Sequence, residues 1–459
     1  MRKNFAAWLV LIALLLNLNV GLNISKAEQY NVPVIDSDSA VLMDARTGQI
    51  LFAKNKDKKQ FPASITKVMT GMLALENADI KDTIIMSRQA VFSIERGSSH
   101  IALDTDEKLS LEDALYALSI ESANDAGNGI AEYIAGDSEG FAELMNKRAR
   151  ELGALNTHFV NAHGLDDPSH YTTAYDMALI MRQAIKTPHF KEIFTANYYK
   201  MPPTNLQAKE REFHSKNLLL NGSYEYEGIT ASKLGWTSKA NNTLVTSASR
   251  DGRDLIVVVM NSTGHRGTYL DTMKLFDYGF NEFQEVVVLS ADVEKSLPLS
   301  TEKAADITVK TDEDITRLLH KSVFPDSVQA SYEILEGGSV NNITTKVSFQ
   351  LPQKNTYMYE DLGSITIDTP VTAPANTLGS AWGMAGSIFA AMLQGIKIIL
   401  VILLTLAVLI LILRQINQAR LRKKRMARRQ NYRIDYIQRK INTRDNEYYH
   451  KYDDKDFNR

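Results

Sequence analysis

Between Val34 and Phe283 the apolar positions follow two alternating rhythms, so strand-like and helix-like pieces succeed one another, the mark of a mixed α and β domain. SAVLMDARTGQILFAKN has alternating apolar residues on both sides of a glycine-containing turn, which predicts a hairpin turning at RTGQ. LSLEDALYALSIES carries a helical stripe at Leu111, Ala114, Leu115 and Leu118, with Ser110 as its cap and Asp113 three positions on. This helix is expected to stop at SANDAGNG. FAELMNKRARELGALN repeats the helical spacing and ends at Gly153, and TAYDMALIMRQAI does the same from Thr173. NNTLVTSASRDGRDLIVVVMNS is two β-rich runs around a Gly-bearing turn, a second hairpin.

After Phe283 the segments become short and rich in β-branched residues, as in SVQASYEIL, TTKVSFQL and GSITIDT, which predicts a small all-β domain over 284–369. A linker is expected over 370–383. From Ile398 to Leu413 every residue but Thr405 is apolar, about 24 Å of helix, and SIFAAMLQGI upstream extends it to bilayer thickness, so 384–413 is expected to span a membrane once. Arg414, Arg420, Arg422, Lys423, Lys424, Arg425, Arg428 and Arg429 follow with no acid among them, a flank that belongs on the cytoplasmic side and makes 414–459 a cytoplasmic tail. At the other end Arg2 and Lys3, an apolar run and a small-residue triplet at Ser25 to Ala27 form the pattern of a signal peptide over 1–27. Both ends agree on a single-pass protein of the cell membrane whose large body, 28–369, faces outward.

Composition narrows the chemistry. A net charge of −2 and 44% hydrophobic residues in 459 argue against wholesale disorder and against a globally basic nucleic-acid binder. The basic run abuts an apolar span, so membrane topology explains it better than a nucleic-acid partner does. Cysteine is absent, which removes disulfides, thiolate catalysis and Cys-ligated metals. His158 with His163 is too little for a zinc site, there is no H-E-x-x-H, Walker loop or dinucleotide fingerprint, and no cofactor is implied. A Ser-His-Asp triad drawn from His163 and Asp166 lacks the G-x-S-x-G elbow, and HGLDD reads instead as a loop beside a cleft.

What remains is lysine-assisted serine chemistry. FPASITKVMT places Ser64 three residues before Lys67 at the head of a helical run, where positions i and i+3 share a face. A lysine stripped of water beside cationic or apolar groups loses its proton more readily and can serve as the base that a serine nucleophile needs. SAND supplies Ser122 and Asn124, which point the same way if that loop is extended. SKLGWTSKANNTLV supplies Lys233 on a segment leading into β structure, able to offer a cation to a carboxylate, with Gly235 leaving room for a substrate backbone. Each element alone is common.

Together and in this order the three elements resemble the SxxK acyltransferases that bind penicillin. PASITKVMT, LEDALYALSIESANDAGNGIAEYIAG, FAELMNKRARELGALNTHFVNAHGLDDPSHYTTAYDMALI and ASKLGWTSKANNTLV are more closely similar to the low-molecular-mass D-alanyl-D-alanine carboxypeptidases, over roughly Val34 to Phe283. The resemblance implies an α+β fold: a penicillin-binding transpeptidase/β-lactamase-like catalytic domain over 28–283, then the small all-β domain and one C-terminal transmembrane helix. It implies a serine peptidase that trims the terminal D-alanine from peptidoglycan stem pentapeptides, with β-lactam antibiotics as inhibitors. By the same resemblance Ser64 is the nucleophile, Lys67 its base and Ser122 the proton relay, helped by Lys233. Asn124 holds the substrate amide, and backbone N–H groups of Ser64 and Trp236 hold the oxyanion.

One position departs from the family, which usually has K-T-G where this chain has Lys233, Leu234 and Gly235. The missing hydroxyl predicts altered affinity for the substrate carboxylate or for penicillin, with catalysis retained, and Thr237, two residues on along a strand, is expected on the Gly235 side. Two other readings remain. A β-lactamase-like hydrolase is disfavoured by the extra β domain and the anchor. A catalytically weak wall-binding protein, its turnover lost with KTG, is disfavoured by the intact Ser64, Lys67, Ser122, Asn124 and Lys233.

Overall fold

A computed structural model describes residues 32–297, 307–335, 342–352, 354–355 and 358–370. The expected leader, membrane span and tail, and the linker beyond Pro370, lie outside the described residues. Within them no helix is long and apolar enough to cross a membrane.

The centre is a five-stranded antiparallel sheet in the order Ile50–Lys54, Ser39–Asp44, Arg253–Ser262, Asn241–Arg250, Ile229–Thr237. Both expected hairpins are present. Gly48 at φ 80° turns the first, and Asp251 with Gly252 at φ 52° and 75° turns the second. Strand side chains alternate between faces, and here both faces are buried, so LIVVVM, Leu255 to Met260, is continuously apolar. Val41, Met43, Val245, Ile256 and Val258 meet a helical layer that includes Lys67–Asn77, Asn124–Ala135 and Ala174–Ala184. Leu42, Leu244 and Val257 meet Tyr269, Leu275 and Phe276 of the helix His265–Glu282 on the other side.

Local signals explain the helix starts. Ser110 accepts from the Asp113 N–H at 3.0 Å while the Asp113 carboxylate accepts from the Ser110 N–H, the reciprocal cap that the sequence predicts. Thr173 caps Ala174–Ala184 by accepting from the Asp176 N–H, and Asp137 caps Ser138–Glu151 by accepting from the Gly140 N–H.

The first helix stops at SANDAGNG as expected, and a second helix that the sequence reading did not foresee begins inside the same run. The chain breaks only at Ser122 and Ala123, and Asn124–Ala135 is a new helix containing both glycines. Glycine inside a helix costs about 1 kcal/mol relative to alanine, so two of them in one run argue locally against this second helix. Packing reverses the preference. A methyl on Gly129 would stand 2.6 Å from Met86 Sδ, and one on Gly127 would stand 3.2 Å from Leu118, so the helix needs bare backbone to approach its neighbours.

Past Phe283 the described elements are strands and one short turn of helix. Phe283–Leu289 pairs with Ile315–His320, Lys295–Leu297 with Ile307–Val309, and Gln329–Ile334, Asn342–Gln350 and Asp361–Pro370 form a three-stranded meander. Leu318, Leu319, Val347, Phe349 and Leu362 belong to the same apolar cluster as Leu42 and Phe276. The first hairpin docks onto these strands through its turn. Buried Gln49 donates from Nε2 to the Leu318 carbonyl at 2.6 Å and accepts from the Leu318 N–H at 3.0 Å, beside an Arg46–Glu285 ion pair at 2.7 Å. Gln49→Ala leaves both Leu318 backbone groups without these partners, so it is expected to lower unfolding free energy by about 1–3 kcal/mol. Urea denaturation followed by fluorescence reads the change.

Candidate active site

Ser64 lies in a 3-10 turn, Ala63–Thr66, and Lys67 opens the helix that follows. A 3-10 turn brings residues i and i+3 over one another. Lys67 Nζ therefore reaches Ser64 Oγ at 3.1 Å. Two shorter bonds tie the same nitrogen down, to Asn124 Oδ1 and to the His163 carbonyl, both at 2.7 Å. Lys67 is fully buried, and burial, aided by the nearby Lys233 cation and opposed by Asp125, pushes its pKa well below the usual lysine value. A neutral amine has two N–H bonds and one lone pair. The two carbonyl-type oxygens can only accept, so they take the N–H bonds and the lone pair is left for the Ser64 hydroxyl.

The loop after Phe159 is built against this turn. Gly164 sits at φ 88°, and a methyl there would fall 1.8 Å from the Ala63 carbonyl oxygen. Thr70 Oγ1 donates to the Ala162 carbonyl at 2.6 Å. His170 accepts at Nδ1 from the Val160 N–H at 3.0 Å, which leaves the Nε2 proton to donate to Thr66 Oγ1 at 2.9 Å. Burial pushes the His163 and His170 pKa values down to about 3, so both rings are neutral. HGLDD is thus the cleft-side loop read from the sequence, and its contribution to Lys67 is a main-chain carbonyl.

Ser122 follows a π-helical turn, Ala117–Glu121, and takes a left-handed conformation at φ 59°. That local geometry, rather than an extended loop, directs its side chain. Lys233 Nζ donates to Ser122 Oγ at 3.1 Å. Burial lowers the Lys233 pKa to about 7, with Glu121 opposing and Lys216 assisting. Asn124 begins the next helix, and its N–H donates to the Ser99 carbonyl at 2.8 Å. Buried Asp125, which the sequence reading passed over, accepts from the Ile101 and Leu103 N–H groups at 3.2 and 3.1 Å and so holds the 95–104 loop beside the cleft.

Ile229–Thr237 is the edge strand, paired on one side only within the sheet. A methyl on Gly235 would stand 2.7 Å from the Ser64 nitrogen and 2.6 Å from Thr243 Oγ1, so the absence of a side chain lets the strand and the Ser64 turn touch. Thr243 Oγ1 in turn donates to the Pro62 carbonyl at 2.9 Å. Leu234, paired with Leu244, packs into the apolar cluster on the opposite face from Lys233. Thr237 reaches the cleft as expected, but its proton goes to Asp166 Oδ1 at 2.7 Å while its oxygen accepts from the Ala240 N–H. The Trp236 indole is 62% exposed at the rim. A cleft of about 310 Å³ opens here, lined among others by Ser64, Arg96, Asn124, Asp166, Thr237 and Ser238. Arg96 is a wall residue that no sequence motif singled out. Among the described residues no group of three or more His, Asp or Glu gathers as a metal site.

These features place a serine, a buried lysine whose pKa is held well below the usual value and a second lysine–serine pair around a cleft beside a sheet edge, the layout of an acyl-transferring serine hydrolase. The family profile described as D-alanyl-D-alanine carboxypeptidase matches residues 26–264, just over half of the chain, and the protein belongs to that family of peptidases. The D-alanyl-D-alanine carboxypeptidase DacF of Bacillus subtilis is 30% identical over 309 residues, 64% of this chain and 78% of the relative. DacC of Escherichia coli is 34% identical over 281 residues, 58% of this chain and 67% of the relative. Among solved structures, penicillin binding protein 5 from Haemophilus influenzae superposes with a TM-score of 0.59 at 28% identity, covering 74% of this chain and 98% of that one.

Gly235→Ala tests the contact between the strand and the Ser64 turn. Displacement of the Ser64 turn by a fraction of an ångström is expected to slow acylation by a fluorescent penicillin about 10²-fold. Acylation at the wild-type rate would show that this approach does not set the reacting geometry.

Proposed function

We propose that Ser64 is the nucleophile of a D-alanyl-D-alanine carboxypeptidase acting on peptidoglycan stem pentapeptides. The observation that carries this reading is the lone pair of Lys67, aimed at Ser64 because two carbonyl-type oxygens at 2.7 Å occupy both N–H bonds of the neutral amine. Lys67 takes the hydroxyl proton as Ser64 Oγ bonds to the carbonyl carbon of the penultimate D-alanine. The oxyanion rests on the backbone N–H groups of Ser64 and Trp236, a role supported by the close approach of Gly235 to the Ser64 nitrogen. The C–N bond then breaks. Ser122, assisted by the Lys233 charge, hands a proton to the departing amine of D-alanine and is resupplied with the one Lys67 took from Ser64, which returns Lys67 to its neutral form, and Asn124 orients the substrate amide. Water ends the cycle: its hydroxyl joins the acyl carbon, and its proton, passed through Lys67, restores the Ser64 hydroxyl.

Lys233 also attracts the terminal carboxylate of the substrate. With Leu234 packed away from the cleft and the Thr237 proton committed to Asp166, this chain lacks a free hydroxyl donor at the threonine position of KTG, so the lysine charge carries more of that recognition. β-Lactams, which present a carboxylate beside a reactive carbonyl, acylate the same serine. The sequence pattern of leader, span and basic flank supports a membrane-tethered enzyme whose catalytic domain, 28–283, and β domain, 284–369, lie outside the cell, with 414–459 inside.

Ser64→Ala is expected to abolish both D-alanine release from a pentapeptide and labelling by fluorescent penicillin. Retained D-alanine release would refute the assignment. Lys67→Ala, which removes the base, is expected to slow acylation by about 10²–10⁴-fold.

The lysines also set a pH dependence. Acylation needs neutral Lys67, so its rate falls as pH falls through the depressed pKa of that group. Carboxylate capture needs charged Lys233, whose pKa near 7 means the cation is present below neutrality and lost above it. KM for the peptide is therefore expected to rise as pH passes about 7, and Lys233→Arg, which cannot deprotonate in that range, is expected to flatten the rise. A wild-type KM that stays constant to pH 9 would contradict it.

A further inference from the structure

Next to the cleft at Ser64 lies a second cavity of about 390 Å³, walled by Lys59, Phe61, Pro168, Tyr171 and Lys239 among others. Three segments of chain line both spaces: Phe61 precedes Ser64, Pro168 follows Asp166, and Lys239 follows Ser238. Three extended residues span at most about 11 Å, so Phe61 stands within that distance of the nucleophile.

The electrostatics of this cavity are one-sided. Lys59 Nζ lies 4.3 Å from the centre of the Tyr171 ring and Lys239 Nζ lies 5.6 Å from that of Phe61. Neither lysine has an ion-pair partner among the described residues, whereas Lys58 in the same wall is held by Asp38 at 2.7 Å. Two ammonium groups resting on aromatic faces thus remain for an anion. The rings limit the freedom of the side chains without cancelling their charge. On the proposed mechanism the leaving D-alanine departs on the Lys233 and Ser122 side, so the acyl side of the substrate runs past Thr237 and Ser238 toward Lys239. A residue two or three places before the scissile bond lies about 7–11 Å along an extended chain, the reach needed.

We infer that this cavity binds a carboxylate carried by the second residue upstream of the scissile bond, an inference that rests on the peptidase reading for the direction of the chain. The full chain carrying Ser64→Ala is titrated with two peptides ending in D-Ala-D-Ala, identical except for a carboxylate or a carboxamide on the residue two before the scissile bond. The carboxylate peptide is expected to bind about three- to tenfold more tightly, the scale of two exposed charge pairs, and the difference shrinks with added salt. Lys59→Gln with Lys239→Gln is expected to erase the preference, and Lys59→Glu with Lys239→Glu to reverse it. Both side chains are exposed, so the replacements leave the core intact. Equal affinities in the Ser64→Ala chain, no binding of either peptide, or a preference that survives both pairs of replacements overturns the inference. Because the readout is a ratio of Kd values on a chain that cannot turn over, failure of the wild type to release D-alanine counts against the peptidase reading and leaves the ratio to decide this one.

Discussion

Burial of one amine organises the catalytic half of the molecule. Charging Lys67 inside the protein is costly, and the nearby Lys233 cation adds to the cost. Removing the proton relieves that cost and creates a base. The three groups around the nitrogen come from three separate places: the turn that bears Ser64, the helix that opens at Asn124, and the loop that carries the His163 carbonyl. Each must hold its position for the lone pair to face the hydroxyl. The bond from His170 to Thr66, the close fit of Gly164 against Ala63 and the Thr70 bond to Ala162 connect loop to turn for that purpose.

The sheet provides the opposite wall by alternation along its last strand. Lys233, Gly235 and Thr237 share one face, so a cation, a close approach and a cleft-lining hydroxyl appear at successive places beside Ser64. Leu234 falls on the other face and serves the core there. Its divergence from the family pattern is thus accommodated by the fold.

Much of this was legible in the sequence where the determinants are local. Ser64 and Lys67 meet because of their spacing, the caps at Ser110 and Thr173 announce their helices, and the two hairpins carry their turns in plain view. The break at SANDAGNG was legible, but the helix that follows it was not, because its two glycines are accommodated by Met86 and Leu118 pressing on Gly129 and Gly127, neighbours distant in sequence. The pairing of Lys233 with Ser122 joins residues 111 positions apart, and only the resemblance of the motif set brought them together. A carbonyl such as that of His163 has no side-chain signature at all. Asp125 was silent for a related reason: its partners are backbone N–H groups of a loop, and an acid in the first turn of a helix looks ordinary. Docking of the later strands through Gln49 was equally invisible, since a glutamine in a hairpin turn gives no sign of what its amide will meet.

Strand Ile229–Thr237 closes the sheet on one side with a border that has no further strand beside it. Such a border is a template on which other proteins stack, and long ones invite polymerisation. Here Ser64 crowds it at Gly235 and Asp166 clasps it at Thr237, so it is hemmed in on both sides of the cleft. A slim peptide tail can slip between these walls, while a broad neighbouring sheet is turned away. One constriction thus bears both on what can lie along this border and on what can pair with it.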